Sequence, residues 1–266
     1  MQKTFLFRGG KLNYEIEGSG LSVMLVHGFT EDRQIWEPFL SGIKKKYQWI
    51  LPDLPGSGES PYNESLSTLK DFAEALYAII ENENIQEFVL IGHSMGGYIS
   101  LSFAEKYPEK IKGLGLFHSS SYPDSPEKKE AREKSIQFIQ KNGGAPYVEQ
   151  AIPGLFSEGF KAEHPEQISK LIDRYANFSV QSLVQYLEAM KQRPPTTMVL
   201  KSINKPVLFI IGEEDKAVSV KDQLEQCYLP RISYIHILTQ TAHMGMIENT
   251  SLCNKLIDRF LEQIPF

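Results

Sequence analysis

Short apolar runs alternate with amphipathic helical stretches along this chain, and that alternation constrains its fold more than any other feature. Residues 21–26, 47–51, 87–91, 113–117, 207–211 and 232–238 are too short for helices and mostly end in turn residues, so they read as strands. Between the second and third of these, Leu69, Phe72, Ala73, Leu76, Ile79 and Ile80 recur at helical spacing. Further helices fit residues 97–107, stopping at Pro108, then 220–227 and 252–264. Near the start, residues 4–8 and 11–17 flank Gly9-Gly10, a two-residue hairpin signal. Strands apolar on both faces must be covered on both faces, so the expectation is an α/β fold around a mostly parallel sheet.

Residues 122–198 break the pattern. Ile136 and Ile139 share one face of a charged helix; Ile168, Leu171, Ile172 and Tyr175 follow at helical spacing, then Leu183, Leu187 and Met190. Seven prolines punctuate the stretch and no strand-like run interrupts it. The expectation is an all-helical insertion in a discontinuous core made of residues 1–121 and 199–266.

The chemistry concentrates in Gly92-His93-Ser94-Met95-Gly96, which follows a strand and precedes a helix. A serine at so tight a turn is forced above the sheet edge. Glycine is required on either side because a side chain would collide with the neighbouring strand or helix. The helix behind the serine offers unpaired N–H groups to a developing negative charge. Serine needs a base, and the base a third group to hold it. Six histidines (His27, His93, His118, His164, His236 and His243) and three carboxylates (Glu213, Glu214 and Asp215) after residues 207–211 are available.

With these motifs the sequence resembles the α/β-hydrolase superfamily over nearly its whole length. His27-Gly28-Phe29 is similar to that family's oxyanion loop, residues 53–60 to the turn after its fourth strand, and Gly92–Gly96 to its nucleophile elbow. The resemblance implies an eight-stranded sheet, with the helical insertion serving as a cap between strands six and seven. It further implies Ser94 as nucleophile, His243 as general base and acid, and Asp215, by the Gly-x-x-Asp pattern, as the group orienting His243. The amides of Phe29 and Met95 would form the oxyanion hole. Gly28 would let backbone approach the substrate, with Phe29, Met95 and His118 beside it. His27 would buttress its loop, His93 would point below the site, and His236 would be structural.

The implied activity is hydrolysis of a small, partly apolar carboxylic ester or thioester, with no cofactor and no metal. Ser94 argues against relatives that use aspartate at that position. Carbon–carbon bond hydrolases, cofactor-free haloperoxidases, acyl transferases and low-turnover ligand-binding proteins share the same three residues and stand as alternatives. Lys+Arg 28 against Asp+Glu 33 leaves a net charge of −5, without the basic footprint of a nucleic-acid binder. Neither a signal peptide nor a membrane span is legible, and Cys227 and Cys253 have no metal or disulfide spacing, so a cytoplasmic protein is expected.

Overall fold

The computed structural model describes residues 1–41, 43 and 46–264. Its strands are β1 (Gln2–Phe7), β2 (Gly10–Gly18), β3 (Ser22–Val26), β4 (Gln48–Pro52), β5 (Phe88–His93), β6 (Ile111–Phe117), β7 (Val207–Gly212) and β8 (Ser233–Leu238). They form one eight-stranded sheet in the order β1-β2-β4-β3-β5-β6-β7-β8. The pairs β1·β2 and β2·β4 are antiparallel, and every later pair is parallel.

Successive residues of a strand face opposite sides of the sheet, which explains why the central runs are apolar without alternation. Met24 and Val26 of β3 join Leu90, Phe209 and Ile211 under helices Leu69–Asn82 and Met95–Lys106. Val23 and Leu25 join Val89, Ile91, Leu208 and Ile210 on the other face, under Trp36 and helix Thr250–Glu262. Helix Leu69–Asn82 starts where the sequence supplies a capping box, Thr68 with Asp71.

Three boundaries differ informatively from the sequence reading. The hairpin turn is Arg8-Gly9, with φ of 46° and 80°, and Gly10 already pairs with Phe7. Those two left-handed residues are what a two-residue turn between twisted strands needs, and a Cβ at Gly10 would sit 2.7 Å from Asn63 Nδ2. The stretch expected as one helix over 220–227 is helix Val220–Glu225 followed by a tighter turn, Gln226–Tyr228. Most important, β5 runs to His93 and the next helix starts at Met95, so the turn between them is a single residue.

All elements between β6 and β7 are helical, the longest being Pro126–Asn142, Pro165–Tyr175 and Val180–Lys191. Their buried residues do not form a core of their own. Ile136, Ile139, Leu183 and Leu187 continue one face's apolar cluster, while Val148, Ile168 and Tyr175 continue the other's. Helix Val180–Lys191 is also pinned to the loop after β4: Tyr186 Oη lies 2.8 Å from Ser57 Oγ and donates to Pro55 O at 2.8 Å. Among the described residues no helix is long and apolar enough to cross a membrane.

Candidate active site

Ser94 has φ 50° and ψ −116°, a conformation that L-residues rarely adopt. Neighbouring backbone enforces it. Ser94 N donates to Phe117 O at 2.9 Å, and Ser119 Oγ donates to Ser94 O at 2.8 Å. A Cβ at Gly92 would lie 2.2 Å from Gly96 O, and one at Gly96 would lie 2.3 Å from Val26 O, so both glycines are fixed by backbone on backbone. Thr30 (φ 60°), after β3, and His118 (φ 49°), after β6, share this left-handed geometry with Ser94. Positive φ thus directly follows the adjacent parallel strands β5 and β6 and recurs in the loop after β3, a pattern associated with functional sites.

Asp215, in the turn after β7, is buried. Its Oδ1 accepts from the amides of Ala217 and Val218, both at 2.9 Å. Its Oδ2 accepts from Gln223 Nε2 at 3.0 Å and lies 2.9 Å from His243 Nδ1. Burial pushes this carboxyl up, but His243 beside it and the donated hydrogen bonds outweigh burial and hold it below the usual carboxylate range. An ionised Asp215 only accepts, so Nδ1 carries the ring proton, leaving the Nε2 lone pair free in the neutral imidazole.

The His243 loop is clamped from two sides. Its own amide donates to Leu155 O at 2.9 Å. The Glu248 carboxylate accepts from Ala242 N and Met244 N, each at 3.1 Å, and from Ser157 N at 2.9 Å. Gly212 sets how closely this loop approaches β7, because a Cβ there would sit 2.0 Å from Ala242 O.

Ser94 and His243 line one cavity of about 160 Å³, to which residues 122–198 contribute Lys128, Arg132, Tyr147, Ala151, Leu155 and Met190. Phe29, Tyr98, Tyr147, Leu155, Met190 and Val218 supply much of its apolar wall. Among the described residues the amides of Phe29 and Met95 have no hydrogen-bond acceptor. His27 holds its loop through Nδ1, 2.9 Å from Gly28 O, and Nε2, which accepts from Leu54 N at 3.0 Å.

Of the four residues expected beside the substrate, Phe29 lines the cavity, while Gly28, Met95 and His118 are not among its lining residues. His118 is fully buried outside the cavity wall, its Nδ1 accepting from Gly212 N at 3.0 Å, and burial pushes its pKa well below the imidazole range. Gly28 donates its amide to Glu31 Oε2 at 2.5 Å, and a Cβ there would lie 2.8 Å from His93 Nδ1. It makes room for the buried Glu31–His93 contact. His93 is buried, and His236 sits in β8. Glu31, Gln223 and Glu248 escaped the sequence reading. Only Glu31 leaves a signal there, as an acid close behind His27-Gly28-Phe29.

Ser94, at a strand–helix turn, shares a cavity with His243, whose ring pairs with Asp215, on a mostly parallel sheet of the kind hydrolases of the α/β class are built on. The family model for the alpha/beta hydrolase fold matches residues 22–250, and the chain belongs to that family. A Bacillus subtilis (strain 168) protein provisionally named 2-succinyl-6-hydroxy-2,4-cyclohexadiene-1-carboxylate synthase is 30% identical over 91% of this chain and 91% of its own. The pimeloyl-[acyl-carrier protein] methyl ester esterase of Legionella pneumophila (strain Paris) is 24% identical, covering 94% of this chain and 99% of that one. The solved structure of a thermophilic esterase from Thermogutta terrifontis, with malate bound, matches with a TM-score of 0.91 at 28% identity, over 98% of this chain and 97% of the other.

Proposed function

We propose that the protein hydrolyses a small, partly apolar carboxylic ester or thioester through an acyl-enzyme on Ser94. The observation that carries this reading is the 2.9 Å contact between His243 Nδ1 and Asp215 Oδ2, at the cavity that Ser94 also lines. Ser94 Oγ attacks the ester carbonyl while His243 Nε2 takes its proton, and Asp215 stabilises the imidazolium. The tetrahedral oxyanion accepts hydrogen bonds from the amides of Phe29 and Met95, which is where unpaired donors are most useful. Collapse breaks the bond to the alkoxide or thiolate, which leaves with the proton from His243. Water, deprotonated by His243, then attacks the acyl-enzyme and frees Ser94.

In this reading residues 122–198 act as a cap on the core of residues 1–121 and 199–266, supplying Tyr147, Leu155 and Met190 to the cavity wall. Similarity to two esterases supports the ester as the bond cleaved. The buried thiols of Cys227 and Cys253 suit the reducing cytoplasm. Turnover of short activated esters by wild type and Ser94→Ala tests the assignment. Loss of a factor on the order of 10⁴ or more in the variant supports it. Retention of most of the rate excludes it, and labelling of Ser94 without multiple turnover on any ester favours a low-turnover binding protein.

A further inference from the structure

Helix Pro126–Asn142 carries more charged residues than any other element of the insertion, and such charges ordinarily belong to a solvated face. Two of them do not follow that rule. Lys128 and Arg132, one turn apart and so on the same helix face, line the cavity that holds Ser94 and His243.

The acids nearby do not neutralise them. Arg132 donates through Nε to Asp124 Oδ2 and through Nη2 to Asp124 Oδ1 at 3.4 Å, leaving Nη1 outside the pair. Asp124 is itself shared, accepting from Arg193 Nη1 at 2.7 Å, so one buried carboxylate faces two guanidinium groups. Lys128 Nζ donates to the Ala217 carbonyl at 2.5 Å and meets no carboxylate among the described residues. Glu31, the acid in the cavity wall, is committed to His93 and the Gly28 amide. Among the described residues Lys128 is therefore a cavity-lining cation without a carboxylate partner, and Arg132 shares its one carboxylate with Arg193; a partly buried site strengthens their attraction for an anion.

The cavity, about 160 Å³, is smaller than the roughly 300–1,000 Å³ of drug-sized sites. A molecule that fits and presents a carbonyl to Ser94 keeps its remaining groups close to Lys128 and Arg132. We propose that these two side chains bind a carboxylate on the substrate, making the preferred substrate a small ester that carries a free carboxylate. This rests on the reading of Ser94 as the nucleophile of an ester hydrolase. Arginine matches a carboxylate through paired N–H donors, and lysine adds a point charge.

The test compares monoethyl glutarate with ethyl 5-methylhexanoate, a neutral ester of similar shape. Wild type should favour the half-ester in kcat/KM by about tenfold or more, the scale of a charge-assisted hydrogen bond. Lys128→Met and Arg132→Met should each shrink that ratio several-fold, chiefly through KM. Using a ratio separates recognition from the Lys128–Ala217 contact, whose loss would slow both esters alike. A ratio near one in wild type, or one unchanged in both variants, overturns the proposal. Calorimetry in the Ser94→Ala background reads the same site without turnover. Tighter binding of the half-ester, weakened by Lys128→Met, supports the proposal, and equal binding of the two esters overturns it. Inorganic phosphate competing as well as glutarate would assign the site to phosphate and overturn the carboxylate. Failure of the hydrolase reading is a separate result, seen as ester turnover surviving in Ser94→Ala.

Discussion

Glu31 Oε2 lies 3.0 Å from His93 Nδ1, with both side chains buried and His93 next to Ser94 in the chain. The other ring nitrogen, His93 Nε2, lies 2.9 Å from the carbonyl oxygen of His243. A carbonyl only accepts, so Nε2 carries a proton, and Glu31 faces the second ring nitrogen. Glu31 also accepts from Gly28 N at 2.5 Å. One buried pair thus joins the loop after β3, the Ser94 turn and the His243 loop, the three segments that the proposed reaction must hold in register.

Burial opposes charge on both partners, yet each is shifted toward its ionised form. His93 is raised from 6.5 because Glu31 outweighs burial, and Glu31 is lowered from 4.5 because His93 and the Gly28 amide do the same. The raised histidine contributes stability fully below pH 6.5, lost as pH rises through its folded value. The lowered glutamate contributes above pH 4.5, lost as pH falls through its folded value. Glu31→Gln should therefore cost most between these limits, about 3–5 kcal/mol for a broken buried pair. Urea denaturation of wild type and variant from pH 4 to 9 checks it; a gap independent of pH contradicts the ion pair.

Glu248 accepts from the amides on both sides of His243. Removing the carboxylate in Glu248→Ala frees that loop without touching the Ser94 turn. The expected result is a kcat loss of about ten- to a hundredfold with a smaller change in KM, since misplacing a base by about 1 Å costs on that scale. Glu248→Gln, which keeps one acceptor, should recover part of it. Equal activity of Glu248→Ala and wild type contradicts a positioning role.

Gly212 meets the backbone of Ala242, and a methyl group there has no space without moving the His243 loop away from β7. Gly212→Ala should separate Asp215 from His243 and lower kcat by about a hundredfold. Gly154 has no neighbour within 4 Å of a built Cβ, so Gly154→Ala is the matched control and should behave as wild type. Steady-state kinetics of the two variants decides.

Asp215 stays ionised throughout the physiological range, because it is held below the usual carboxylate values. Its own titration should therefore leave no limb in the pH–rate profile between pH 5 and 9. Asp215→Asn should lower kcat by about 10⁴-fold, since an amide in its place favours the wrong imidazole tautomer. Retention of a tenth or more of the wild-type rate contradicts the assignment.

The sheet was legible because buried parallel strands need continuous apolar runs, and Ser94 is bracketed by Gly92 and Gly96, where close backbone contact leaves no room for a side chain. The exact turn was less legible: β5 reaches His93 and the helix begins at Met95, since Gly92 and Gly96 allow a one-residue reversal that propensity alone does not indicate. Ser94 stood out from its strand–turn–helix context, whereas Asp215 and His243 were singled out among the available acids and histidines by the resemblance to the α/β-hydrolase superfamily. Glu31 and Glu248 were not, because their partners are backbone amides or residues distant in the chain. Arg132, with Arg174, stood out in the sequence as a candidate partner for a substrate carboxylate, although an exposed helix charge was the commoner reading; Lys128 did not stand out, since nothing in a helix's own sequence says which of its charges will line a cavity.

The central claim is a covalent acyl group on Ser94, and intact-protein mass spectrometry after rapid acid quench of a reaction with an activated short-chain ester tests it directly. One acyl mass per chain is expected, mapped to the peptide containing Ser94, accumulating in wild type and absent in Ser94→Ala. Turnover with no acylated protein at any quench time, or an acyl group on another residue that survives Ser94→Ala, would contradict the account.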